Sequence, residues 1–163
     1  MSREEYTLGR EDVAGHPALT DAGTGLANRL HFELVYHYMF QAGDRGMAFT
    51  IMLVSVGGER SLDDAPDLLR RVGSTLQGTT RLSDLVARIG GPGFAVLLLG
   101  TNLPGARIAA DRIESALRET TTEPISIGIA TFDPRMKQPG ELLDAVESAL
   151  GTAQQAGGGV EMG

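Results

Sequence analysis

An apolar run bounded by glycines constrains the fold of this chain more than any other feature. Residues 47–56, MAFTIMLVSV, carry no charged side chain, and Gly46 and Gly57 flank them. A strand with one face in water would alternate apolar and polar residues, whereas this run is nearly continuous, as in strands buried on both faces. It is too short to span a membrane, which takes about 20 apolar residues. We therefore predict a buried strand at the centre of a sheet.

Helix and strand patterns alternate along the rest of the chain. The helices are expected over residues 27–43, 66–77, 104–118 and 139–155, and the further strands over 84–89, 94–100 and 125–131. Three of the four helices begin at a proline, which suits the first turn. The segment Gly90-Gly91-Pro92-Gly93 joins two of the strands as a hairpin turn. The order α-β-α-β-β-α-β-α predicts an α/β sandwich with mixed strand directions.

Some residues in the first predicted helix receive a structural interpretation only. Leu30, Leu34 and Tyr38 are spaced as one face of a helix, and we expect this stripe to pack into the core, with a dimer mate as the alternative cover. His31 and His37 are six residues apart, which is not the spacing of two metal ligands on one helix face. We expect both histidines at the surface.

Charge and cysteine content exclude several classes of protein. The 163 residues include 14 lysines and arginines, 21 acidic residues and no cysteine, for a formal net charge of −7. Without cysteine there is no disulfide framework, thiol nucleophile or thiolate-bound metal, and the acidic balance argues against nucleic-acid binding. The N-terminal sequence has no apolar signal core. We expect a cytoplasmic protein, with residues 1–17 as a lead-in and residues 18–163 as one domain.

Four segments carry a resemblance to one family. Residues 21–29, DAGTGLANR, resemble the motif D-x-L-T-G-L-x-N-R, and residues 88–94, RIGGPGF, resemble R-x-G-G-D-E-F. Residues 126–130 resemble the strand S-I-G-V-A, and residues 145–160 resemble the closing helix of the same family. In order and spacing the chain resembles the GGDEF domain, the bacterial diguanylate cyclase module. The resemblance implies a palm-like sandwich with about five strands, in which two domains each bring one GTP to form cyclic di-GMP.

The same comparison of motifs identifies positions where this chain departs from active members of the family. Those members hold metal with acidic residues at the end of the first strand and in the hairpin, read guanine with Asn and Asp, and bind phosphate with Lys and Arg. The corresponding positions here are Ser55, Val56 and Gly57, then Pro92 and Gly93, then Asp63 and Pro66, then Gln154 and Gly158. Metal-assisted phosphoryl transfer depends on such charges. The resemblance therefore implies an inactive, degenerate domain with no catalytic residue, metal site or cofactor.

One ligand site of the family has matching residues. Many cyclases carry an inhibitory site for cyclic di-GMP, R-x-x-D, four residues before the hairpin motif, and Arg81 and Asp84 stand at that spacing before Arg88. The second arginine of the site falls on Arg112, 18 residues after Phe94. Guanidinium binds phosphate or guanine in a bidentate manner, and a carboxylate accepts from guanine N–H groups. The tetrad also arises by chance, as at residues 60–63, so a surface ion pair remains the alternative.

Three functions stay open on the sequence alone. The first is a regulatory module of a cyclic di-GMP signalling protein that binds cyclic di-GMP at Arg81, Asp84 and Arg112. The second is a structural module that forms a homodimer or docks on a neighbouring domain, of the EAL or a sensory kind. The third is an active cyclase whose metal ligands come from the shortened loop, from Glu59, Asp63 or Asp64. None of the three requires nucleic acid or a membrane span.

Overall fold

The computed structural model describes residues 15–58 and 60–163, so the first 14 residues of the predicted lead-in lie outside it. The helices are α1 (Arg29–Gly43), α2 (Pro66–Thr79), α3 (Leu103–Thr120) and α4 (Pro139–Gln155). The strands are β1 (Phe49–Val56), β2 (Leu85–Gly90), β3 (Gly93–Leu99), β4 (Ile125–Thr131) and β5 (Gly159–Met162), and one 3-10 turn, Leu62–Asp64, precedes α2. Within the described ranges, no helix is long and apolar enough to cross a membrane.

The five strands form one mixed sheet with β1 at its centre. The order is β2-β3-β1-β4-β5; β1 is antiparallel to β3 and to β4, and β5 runs parallel to β4. Every residue of β1 is buried. The central strand, the hairpin of β2 and β3, and the α/β sandwich predicted from the sequence are all confirmed.

Each face of the sheet is covered by two helices. α2 and α3 pack on the face to which Met52 and Val54 of β1 point. α1 and α4 pack on the opposite face, to which Ile51 and Leu53 point. Because successive side chains of a strand alternate between faces, one apolar run supplies both cores. This two-sided burial explains why residues 47–56 lack the polar alternation of a half-exposed strand.

The prediction that the stripe of Leu30, Leu34 and Tyr38 packs into the core is wrong. Leu30, Leu34 and Tyr38 are 50%, 58% and 71% exposed, whereas Tyr36 is 1% exposed and Phe40 is 5% exposed. The helix therefore presents its aromatic stripe to the sheet and leaves the leucine and tyrosine stripe uncovered among the described residues.

Aromatic packing explains this choice of face. Phe40 meets the ring of Phe132 edge-on at 5.2 Å between centroids, and Phe132 stacks on Phe49 of β1 at 5.2 Å. Tyr36 meets Phe49 at 6.4 Å. Aromatic side chains bury the largest apolar areas, and such ring pairs add about 0.5–1.5 kcal/mol each beyond the area term. Since α1 carries apolar residues on two stripes, the ring partners on the sheet decide which stripe is buried.

The C-terminal end also corrects the expectation from the resemblance. α4 ends at Gln155, as its pattern predicted, but Gly159–Met162 form the strand β5, where the resemblance placed the closing helix. Gly157, Gly158 and Gly159 all have positive φ, and Gly158 lies so close to the Ile125 carbonyl that a Cβ atom would stand 2.9 Å from it. A four-residue strand has almost no pattern of its own, so pairing with β4 decides its structure.

Candidate functional site

Small and apolar residues occupy the junction where β1 ends against the hairpin. Ser55 lies opposite Gly93 of β3 and opposite Ser126 of β4. The Ser55 hydroxyl is buried and accepts a hydrogen bond from Nε2 of Gln154 at 3.3 Å. Ser55 and Gly93 stand where the resemblance places acidic residues in active members, and Gln154 stands where it places a phosphate-binding cation.

The residues at this junction do not fit a divalent metal. Magnesium takes carboxylate and phosphate oxygens in near-octahedral geometry. Here the nearby positions are a buried serine, a proline and glycines, and within residues 15–58 and 60–163 no group of three histidine or acidic side chains could hold a metal ion.

The shortened loop after β1 is bonded onto the hairpin. The Leu62 backbone N–H donates to the Gly91 carbonyl at 3.2 Å, and the Val56 N–H donates to the Pro92 carbonyl at 3.0 Å. The cavity beside this loop, lined by Gly57, has a volume of about 250 Å³, below the roughly 300–1,000 Å³ of typical ligand pockets. The loop is therefore packed against the hairpin turn.

Arg88 is a buried cation that sequence reasoning left without a role. Its side chain is 4% exposed; Nη2 donates to Oδ1 of Asp63 at 3.3 Å and to the Gly91 carbonyl at 2.8 Å, and the guanidinium lies 5.9 Å from the centre of the Phe94 ring. Its Nε is buried without an acceptor among the described residues. The signal in the sequence was an arginine within an apolar strand, since a buried charge requires partners. Asp63 supplies one of them.

Arg81 and Asp84 are brought together as a compact unit between α2 and β2. Asp84 Oδ2 accepts from the backbone N–H of Arg81 at 3.0 Å and from its Nε at 3.4 Å, and Oδ1 accepts from Nη2 at 3.1 Å. The Asp84 side chain is 3% exposed, while that of Arg81 is 55% exposed. Asp84 also borders a cleft of about 360 Å³ with His31 and Leu19. The carboxylate therefore orients Arg81, whose guanidinium faces solvent.

Arg112, the third residue of the predicted site, lies on α3. It is on the exposed side of α3, and within the described part of the chain it makes no hydrogen bond or ion pair. Arg81 contacts Thr101 at the start of α3. At 1.5 Å per residue, Arg112 lies about 14 Å along α3 from its first residue, Leu103. The structure thus joins Arg81 to Asp84 directly and leaves Arg112 as a separate cation.

The histidines and the groups with shifted pKa values lie outside the β1 junction and the unit of Arg81 and Asp84. His37 is exposed and His31 is half-buried. Burial raises the pKa of Tyr36, whose hydroxyl donates to the Pro139 carbonyl. Hydrogen bonds from the side chain and backbone of Arg135 lower the pKa of the partly exposed Asp133 to about 2. Neither shifted group belongs to the Arg81 unit or to the β1 junction.

Comparison with known proteins decides the family. The family model described as "Diguanylate cyclase, GGDEF domain" matches residues 18–159. The chain belongs to the GGDEF domain family. The probable diguanylate cyclase DgcC of Escherichia coli K12 is 29% identical over 151 residues, which are 84% of this chain and 41% of that protein. Diguanylate cyclase TpbB of Pseudomonas aeruginosa is 28% identical over 156 residues, 86% of this chain and 36% of that protein. The chain spans less than half the length of these curated bacterial relatives.

Solved GGDEF structures share the fold. The FimX GGDEF domain from Pseudomonas aeruginosa superposes with a TM-score of 0.81 at 21% identity, covering 89% of this chain and 99% of that one. The coiled coil and GGDEF domain of DgcB from Caulobacter crescentus, crystallised with cyclic di-GMP, has a TM-score of 0.77 at 20% identity, covering 90% of this chain and 86% of that one. At these identities the likeness shows the fold alone. The complex with cyclic di-GMP is an observation on the DgcB domain.

Proposed function

We propose that this GGDEF domain has lost cyclase activity and acts as a regulatory module of a cytoplasmic cyclic di-GMP signalling protein, binding cyclic di-GMP at Arg81, Asp84 and Arg112. The observation that carries the proposal is the contrast between two places in one fold. Ser55, Pro92 and Gly93 at the β1 junction carry no carboxylate, whereas Arg81 and Asp84 form an ion pair in which the Arg81 side chain is 55% exposed.

The loss of activity rests on charge. Joining two GTP molecules builds negative charge on phosphate oxygens, which metal ions or cationic side chains must stabilise. The residues at the junction offer no metal ligand, and Gln154 bonds to Ser55 where the family has a phosphate-binding cation. Asp63 is paired with Arg88, so it does not substitute for the missing ligands.

Ligand binding rests on the free donors of two arginines. Arg81 is held by a buried carboxylate, which reduces the entropy lost when its guanidinium meets a phosphate. Arg112 has no partner among the described residues, so a ligand gains its donors without breaking an ion pair. Arg81 follows the C-terminal end of α2, and Arg112 lies on α3. The DgcB domain that shares this fold was crystallised with cyclic di-GMP, which supports the choice of ligand.

Calorimetric titration with cyclic di-GMP tests the proposal. We expect binding in the micromolar range or tighter, and a Kd at least about tenfold higher in Arg81→Ala and in Arg112→Ala, as for the loss of one charged contact. Arg60→Ala is the matched control, because Arg60 is an exposed arginine in the second R-x-x-D tetrad. The proposal is contradicted if 100 µM ligand gives no heat, since a Kd of 100 µM corresponds to a binding free energy of about −5.5 kcal/mol. It is also contradicted if the wild type and the three variants bind with equal affinity.

One observation favours a second candidate, a docking or dimerisation module. The stripe of Leu30, Leu34 and Tyr38 on α1 is at least half exposed and contiguous over two helical turns. Apolar patches of this kind mark contacts with other chains or domains. In the full-length protein, Leu34→Asp is then expected to change the activity of a neighbouring domain without ligand, while the adjacent Glu33→Ala leaves that activity unchanged.

A further inference from the structure

The guanidinium of Arg81 has two edges that can form paired hydrogen bonds. The edge made by Nε and Nη2 faces Asp84, at 3.4 Å to Oδ2 and 3.1 Å to Oδ1. Only the terminal edge, made by Nη1 and Nη2, is left for a bidentate contact with a phosphate or a guanine. Bidentate pairing requires both nitrogens of that edge.

Thr101 occupies half of this remaining edge. Nη2 of Arg81 donates to Oγ1 of Thr101 at 2.7 Å and to the Leu99 carbonyl at 3.1 Å. Nη1 has no acceptor within the described residues. A ligand that approaches the terminal edge therefore finds one free nitrogen and one that is already bonded to the loop before α3.

The loop holds Thr101 firmly in this position. The hydroxyl of Thr50, buried in β1, donates to the Thr101 carbonyl at 2.7 Å and also contacts the hydroxyl of Thr131 at 2.8 Å. Asn102 caps α3 by accepting from the Gly105 N–H at 3.0 Å. Strand β1 and the helix cap therefore fix the main chain on both sides of Thr101, which keeps its side chain within reach of Arg81.

We propose that Thr101 is a latch on Arg81 that lowers the affinity of the cyclic di-GMP site; this inference rests on the proposed function. A ligand phosphate must replace the Thr101 hydroxyl, which makes a shorter contact with Nη2 than the Leu99 carbonyl does, and the exchange reduces the net gain by about one hydrogen bond. Removal of the hydroxyl in Thr101→Val is expected to lower the Kd for cyclic di-GMP about three- to tenfold. Thr101→Ser keeps the hydroxyl and is expected to bind as the wild type.

A measurement without ligand tests the latch itself. NMR spectroscopy follows exchange of the Arg81 guanidinium protons with water, with the signal assigned by its loss in Arg81→Ala. Protons bonded to Thr101 exchange slowly in the wild type and in Thr101→Ser, and faster in Thr101→Val. Equal exchange in all three proteins overturns the latch. Circular dichroism checks that Thr101→Val is folded, as expected because Thr50 bonds to the main chain of residue 101.

Titration of the same proteins separates the latch from the proposed function. Tighter binding by Thr101→Val, loss of binding in Arg81→Ala and wild-type affinity in Thr101→Ser support both. Binding that depends on Arg81 but is equal or weaker in Thr101→Val overturns the latch alone. Binding that is unaffected by Arg81→Ala, or absent in the wild type and in Thr101→Val, overturns the cyclic di-GMP site and the latch together, whatever the exchange rates show.

Discussion

Leu62 donates its backbone N–H to the Gly91 carbonyl at 3.2 Å, so the loop after β1 is bonded to the turn between β2 and β3. In this arrangement the loop packs against the hairpin turn. The ion pair between Asp63 and Arg88 reinforces the contact from a buried side chain. The loop and the turn therefore form one packed structural element, in which Asp63 of the loop neutralises Arg88.

Restoring the hairpin acids is expected not to restore a cyclase. The double variant Pro92→Asp with Gly93→Glu places two carboxylates in the turn, but Ser55 and Gln154 still lack the charges that hold metal and phosphate. The Gly93 Cβ would also stand 3.2 Å from the Gly90 carbonyl. Incubation with GTP and Mg²⁺ or Mn²⁺ followed by chromatography should show no cyclic di-GMP from either protein. Product from the wild type would contradict the proposed loss of activity.

Substitution of Gly128 is expected to destabilise the domain strongly. A Cβ atom at this position in β4 would lie 2.4 Å from the Leu150 nitrogen and 2.8 Å from the Val146 carbonyl, both on the backbone of α4. Because the backbone of α4 cannot rotate away as a side chain can, Gly128→Ala should lower the free energy of unfolding by about 1–3 kcal/mol or more through overpacking. Urea denaturation measures the change. Gly151→Ala is the control, because its Cβ meets open space within α4, and it should stabilise by about 0.4–1 kcal/mol.

The orientation of α1 predicts opposite outcomes at two apolar positions. Leu34 is 58% exposed and Phe40 is 5% exposed. Phe40→Ala removes ring contacts with Phe132 and should cost about 3–5 kcal/mol, whereas Leu34→Lys should change the free energy of unfolding by less than about 0.5 kcal/mol. Thermal and urea unfolding of the two variants give the comparison. A large loss in Leu34→Lys would mean that the stripe is covered, for example by a second copy.

The ion pair of Asp133 and Arg135 predicts that the free energy of unfolding depends on pH in the acidic range. Nη2 of Arg135 lies 2.7 Å from Oδ2 of Asp133, and the pKa of Asp133 falls from 3.8 to about 2. A carboxyl whose pKa is lower in the folded state than in the unfolded state stabilises the folded protein at pH values above its unfolded-state pKa. That contribution is lost as the pH falls from about 4 through 2. Asp133→Asn should therefore flatten the stability profile in this window. An unchanged slope would show that solvent screens the pair completely.

Local patterns determined most of the architecture. Residues 47–56 predicted a central strand, and Gly90 to Gly93 predicted the hairpin, because burial on both faces and positive φ at Gly90 and Gly91 each leave a direct signature in residue types. The motif positions also indicated the missing charges around Ser55. Each of these inferences depends on residue type at a known place in the chain.

Other features depended on partners that are distant in sequence. The choice between two apolar stripes of α1 required Phe49 and Phe132, and β5 required the edge of β4. At the candidate site the sequence supplied Arg81, Asp84 and Arg112 by spacing, but the role of Thr101 arises from a contact across 20 residues. Sequence alone thus determined the fold class and the charges available, while tertiary packing decided which faces are buried and which donors of Arg81 remain free. Pairing energies between distant segments, which no local pattern records, are the physical reason.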